Sequence, residues 1–109
     1  MTDLDRQVAT LRGWTWDNAR CHWADTQGRI MGWYTYSPAT NLLQAFQLWE
    51  EARPEGWWLE TGQLSDGSWF VFRDSAKCTR DMKCTGLPDL PRAITQAWVE
   101  AREGRPSTI

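Results

Sequence analysis

A chain of 109 residues with 24% charged and 41% hydrophobic side chains has the make-up of an ordinary folded domain and a length that suits one modest core. Its formal net charge of −2 argues against a general binder of duplex nucleic acid, which needs a basic surface, but leaves room for a small anion held by two or three arginines. No apolar run approaches the ~20 residues that span a bilayer, which sets a membrane role aside.

Residues 2–12, TDLDRQVATLR, read as a helix. Thr2 followed by Asp5 resembles a capping box, and Leu4, Val8 and Leu11 share one face at helical spacing. Gly13 suits the position just past the helix end. A hairpin follows, with ARCHWA and RIMGWYTY as strands and DTQG as the turn. In SPATNLLQAFQLWEEARPEG, Thr40 or Asn41 caps a second helix whose stripe is Leu42, Ala45, Phe46, Trp49 and Ala52. Pro54 and Gly56 end it.

A second hairpin pairs WWLETGQL with SWFVF across SDG, where Gly67 is free to take a positive φ. The unbroken WFVF predicts a strand covered on both faces. Residues 75–88, SAKCTRDMKCTGLP, have no clean period and read as a long loop of the kind that is often functional or mobile. The last element, DLPRAITQAWVEARE, is a helix with Asp89 at its N-cap, Pro91 in its first turn and Leu90, Ile94, Ala97, Trp98 and Ala101 on its buried face. Gly104 and Pro106 stop it. The order is α-β-β-α-β-β-α, an α+β chain expected to form an α/β/α sandwich from three helices and an antiparallel sheet of about four strands. One domain covers 1–104, and 105–109 form a frayed tail.

Three cysteines, Cys21, Cys78 and Cys84, and the single His22 are enough to suggest zinc, but the spacing does not support it. Adjacent strand residues point to opposite faces, which separates Cys21 from His22. The expected state is reduced thiols, a half-buried Cys21 on a strand and two thiols in the loop, with no metal. The same alternation removes Cys21–His22 as a nucleophile and base. Glu50, Glu51, Glu55 and Glu60 are dense, but Glu50 and Glu51 fall on the polar side of a helix, where solvated charge is the simpler explanation. No phosphate loop, dinucleotide fingerprint or metalloprotease motif occurs, so no catalytic residue and no cofactor are expected.

Nine tryptophans are the outlier. One small core does not easily hold nine indoles, each needing space and a partner for its N–H, so some are expected at the surface and the chain is expected to form a homo-oligomer. Around the first hairpin stand Trp14, Trp16, Arg20, Trp23, Arg29, Trp33, Tyr34 and Tyr36. Arginine forks a phosphate and an indole stacks on a base, so this set suits a nucleotide-like ligand, with Trp14, Trp16, Arg29, Trp33 and Tyr34 as the candidate contacts. The competing reading makes these aromatics core. Trp14 then closes the core after the first helix, while Trp16 or Trp23 stays partly exposed near Arg29.

Three segments in the same order resemble the phage ABA sandwich domain family. They are LDRQVATLRGWTW, SPATNLLQAFQLWEE with Ala45 and an aromatic at Phe46, and the closing LPRAITQAW. The resemblance spans nearly the whole chain and implies an α/β/α sandwich of phage or prophage origin; SAKCTRDMKCTG departs from it. A looser similarity links the chain to the Thoeris anti-defence sponge proteins, oligomers that bind a cyclic ADP-ribose immune signal. It implies roles for Trp14 or Trp16 with Arg29. The function expected first is therefore a non-enzymatic counter-defence protein in the cytoplasm of the bacterial host that sequesters a nucleotide signal. The alternative is a protein–protein inhibitor of a host defence complex, anti-CRISPR-like, with exposed tryptophans as anchors. The third is an enzyme acting on a nucleotide. A ligand clamp needs arginine and tryptophan converging on a concave pocket, whereas an inhibitor needs a broad apolar patch.

Overall fold

The computed structural model describes residues 2–74 and 79–104. It is an α+β chain with three helices and antiparallel strands, and it divides into two compact units, Met1–Ser37 and Pro38–Ile109.

The first unit holds α1 (Asp3–Leu11), β1 (Thr15–Asp17), β2 (His22–Ala24) and β3 (Ile30–Trp33). The capping box at its start is formed. The Asp5 N–H donates to the Thr2 hydroxyl at 3.1 Å, and Asp5 Oδ2 accepts from the Thr2 N–H at 2.8 Å. The same oxygen accepts from the Ser37 hydroxyl at 2.8 Å, which ties the helix start to the last residue of the unit. Asp5 is fully buried, so those donors replace its lost hydration. Gly13 takes φ 78° past the helix end, and the Trp14 N–H then returns to the Ala9 carbonyl at 2.9 Å.

The strands form an antiparallel sheet in the order β1-β2-β3, with Trp16 opposite Trp23 and Trp23 opposite Gly32. That face carries the core of Ala9, Trp14 and Trp23, with Trp16 and Tyr36 packed against it. Gly32 lets the aromatics approach closely there, because a Cβ would press on Tyr36 at 3.3 Å and touch Trp14 at 3.7 Å.

The second unit holds α2 (Leu42–Ala52), β4 (Trp58–Gln63), β5 (Trp69–Asp74), β6 (Thr79–Cys84) and α3 (Leu90–Glu103), with short 3₁₀ turns at Arg53–Glu55 and Leu87–Asp89. Asn41 caps α2 by accepting from the Gln44 N–H at 3.0 Å. Gly56 and Gly104 stop their helical segments at φ 87° and 70°. Asp89 occupies the N-cap position of α3, but its carboxylate accepts from the Thr85 hydroxyl at 2.8 Å and makes no cap hydrogen bond. The two helices meet where the buried Trp49 donates its indole N–H to the Ile94 carbonyl at 3.2 Å.

The sheet runs β4-β5-β6, all antiparallel, with Thr61 opposite Val71 and Val71 opposite Met82. Val71 and Arg73 share one face and are both fully buried. The Arg73 guanidinium donates to the Ala97 carbonyl of α3 at 3.1 Å and lies 3.6 Å from the Glu100 carboxylate. Phe70 and Phe72 lie on the other face and are half-buried, so WFVF is only partly covered there.

Two strands exceed the four read from the sequence. Thr15–Asp17 is short and follows directly on the first helix. Thr79–Cys84 corrects the expectation of a loop over 75–88. Of that stretch, 75–78 lie outside the described residues, 79–84 pair with the whole of β5, and 87–89 make a 3₁₀ turn. TRDMKC has no apolar alternation to announce a strand, and tertiary pairing decides its conformation.

Arg102 seats the end of α3. Its guanidinium lies 4.2 Å from the centre of the Trp57 ring and 5.2 Å from that of Trp98, and it donates to both oxygens of Glu55 at 3.1 and 2.7 Å. These bonds and the adjacent positive charge hold the Glu55 carboxyl below the ordinary glutamate range. A depressed folded-state pKa contributes stability above the unfolded value and loses it as pH falls through the folded one. The acid limb of a thermal-stability profile, at about pH 5 to 3, is therefore expected to be shallower in Glu55→Gln than in the wild type. Superimposable limbs would show that the pair does not contribute.

Candidate functional site

The aromatic set of the first hairpin divides into buried and open members. Trp14 is 7% exposed and Trp23 6%. Trp14 carries Tyr36 on its ring at a centroid distance of 5.2 Å, and the Arg12 guanidinium lies 4.3 Å from its centre. Trp16 is half-buried and meets Trp23 edge-on at 5.2 Å. These indoles build the core face. Trp16, rather than Trp23, is the partly exposed member of that pair.

Arg29, Trp33 and Tyr34 belong to the open part. Asp25 organises the turn before them, accepting from the Gln27 and Arg29 backbone N–H groups at 2.8 and 2.9 Å and from Arg29 Nε at 2.7 Å. The Arg29 backbone donor leads in holding the Asp25 carboxyl below its ordinary range, with help from Gln27 and the Arg29 side chain. The chain then leaves the turn along β3, which among the described residues pairs with β2 alone and so forms an edge of its sheet. Ile30 is 53% exposed, Met31 40%, Trp33 53% and Tyr34 65%. Residues 30–41, IMGWYTYSPATN, carry no charge. The sequence reading picked out Trp33 and Tyr34 of this strip, with Arg29 just before it. It passed over Ile30 and Met31, which period-2 alternation would place on opposite faces with one of them inward.

Cys21 and His22, adjacent in the chain, fall in different settings. Cys21 is exposed and takes φ 57° in the turn before β2, which corrects the expectation of a half-buried strand thiol. Its Sγ lies 3.8 Å from the Asn18 carbonyl. His22 is buried, with Nδ1 3.3 Å from the Trp23 carbonyl and Nε2 3.9 Å from Asp17. Trp33 meets its ring edge-on at 5.7 Å. Among the described residues no three histidine, cysteine or acidic side chains cluster to hold a metal.

A groove of about 290 Å³ opens in the second unit, lined by Phe46, Trp49, Glu50, Arg53, Trp58 and Leu59. Sequence reading assigned Phe46 and Trp49 to a helix stripe and Glu50 to solvated charge, and missed the groove. The available signal was the Trp57-Trp58 doublet. Adjacent residues entering a strand face opposite ways, so one indole is covered and the other is left open. Trp57 is 7% exposed and Trp58 38%.

Among the described residues no helix is long and apolar enough to cross a membrane. Set against models of known protein families, curated proteins and solved structures, the chain matches none.

Proposed function

We propose that this is a non-enzymatic binding protein whose working surface is the open edge of β3, used to grip a host protein. One observation carries the reading. Ile30, Met31, Trp33 and Tyr34 stand exposed on and just after a strand that, among the described residues, forms the edge of its sheet. Exposed large apolar side chains grouped in this way are characteristic of partner surfaces, and tryptophan and tyrosine are the usual anchors. Phage or prophage origin, counter-defence and action in the bacterial cytoplasm rest on the sequence resemblance.

Sequestration of a cyclic ADP-ribose type signal is the second reading. It is favoured by Arg29, whose Nε pairs with Asp25 while most of its side chain is exposed, one residue before the strand that carries Trp33. In this reading the same edge stacks a base and pairs a phosphate.

Expression in bacteria carrying a defence system that the wild-type protein disables tests both. Trp33→Ser with Tyr34→Ser is expected to leave the fold intact and restore defence, while Arg29→Ala leaves the wild-type phenotype unchanged. Loss of function in Arg29→Ala as well, with nucleotide bound to the purified wild type, would transfer the edge to the nucleotide reading. A mass of twice 12.7 kDa by light scattering that the double serine variant abolishes would instead assign the edge to a second copy. Full function in the double serine variant would contradict the use of this edge altogether.

A further inference from the structure

The groove of the second unit has its own chemistry, independent of the β3 edge. Its apolar walls are Phe46, Leu59 and the rings of Trp49 and Trp58. Trp49 spends its indole N–H on the Ile94 carbonyl, so it offers the groove only ring surface. Trp58 is backed by Phe72 at a centroid distance of 5.2 Å, which holds an exposed indole in place. The polar groups at the rim are Glu50 and Arg53. Arg53 Nη1 lies 3.2 Å from each Glu50 oxygen, and both side chains are two-thirds exposed. A pair that exposed is worth little and exchanges readily for a better partner.

Local charge decides which half of the pair is replaced. Residues 50–60 hold Glu50, Glu51, Glu55 and Glu60 against Arg53, and with Glu55 paired to Arg102 the remaining balance is three negative charges to one positive. An anion entering here meets a repelling field, and a cation meets an attracting one. The same unit already displays the corresponding chemistry in a filled form, with the Arg102 guanidinium over Trp57 and Trp98 and paired with Glu55. Phe46, Trp58 and Glu50 offer the same combination of ring faces and carboxylate.

We infer that the groove binds an organic cation, a guanidinium or alkylated ammonium group, which lies against Trp58 and Phe46 and takes over the Glu50 carboxylate from Arg53. Such a group comes either from a free small molecule or from a side chain of a basic peptide.

The test follows the Trp58 indole N–H by NMR, assigned with Trp58→Phe, while the full-length protein is titrated with tetramethylammonium, ethylguanidinium, a capped Gly-Arg-Gly peptide or AMP. The cations are expected to give saturable shifts of this signal. Glu50→Gln should weaken them about tenfold, and Arg53→Ala should strengthen them by removing the internal competitor. Tighter binding of the peptide than of ethylguanidinium supports the site with a peptide as source; equal binding supports it with a small molecule as source. The inference is overturned if no cation moves the signal, if AMP binds more tightly than the cations, or if Arg53→Ala abolishes binding.

Discussion

Glu100→Ala is expected to destabilise the Pro38–Ile109 unit by about 3–5 kcal/mol, the range for removing one member of a buried ion pair. Glu100 is 2% exposed and Arg73 0%, so the guanidinium left behind keeps its charge without access to water. The Ala97 carbonyl, 3.1 Å from Arg73 Nη1, accepts from the guanidinium but carries no net charge to replace the carboxylate. The pair also joins β5 to α3, so its loss acts on two elements. The double variant Arg73→Met, Glu100→Leu is expected to recover most of the deficit, because packed apolar side chains of similar volume often replace buried pairs at little cost. Urea unfolding of the wild type, both single variants and the double variant measures the coupling. A single-variant loss below about 1 kcal/mol would show that the buried charge does not depend on Glu100.

Trp14→Ala is the second large effect, expected to destabilise the Met1–Ser37 unit by about 3–5 kcal/mol as a buried aromatic site is emptied. Its ring underlies Tyr36, faces the Arg12 guanidinium and lies in the core with Ala9 and Trp23. Trp16→Ala removes a half-buried indole from the margin of the same core and should cost clearly less. Near-ultraviolet circular dichroism with denaturant titration compares the two. An equal or smaller loss for Trp14→Ala would contradict its place at the centre of that core.

What could be read from the chain follows how local each signal is. Thr2 with Asp5, Asn41, Gly13, Gly56 and Gly104 act on the backbone within a few residues, and the helix limits they set are found in the structure. TRDMKC had no such mark, since its strand exists through pairing with β5. Arg73 follows the apolar run WFVF and precedes Asp74, where a charge reads as the exposed end of a strand, and its partner lies 27 positions further on in a different element, so neither residue suggested a buried pair. At the candidate edge, residue type picked out Trp33 and Tyr34, but Trp14 is of the same type and is buried. Burial depends on which sheet face meets the core, a tertiary fact that composition does not carry.

Hydrogen–deuterium exchange of the protein, free and in complex with a host protein captured on it from a bacterial lysate, tests the use of the β3 edge most directly. The backbone amides of residues 30–34 are expected to gain protection in the complex, and Trp33→Ser with Tyr34→Ser to abolish both the complex and that gain. A complex that leaves residues 30–34 exchanging as in the free protein, with protection confined to other segments, would contradict it.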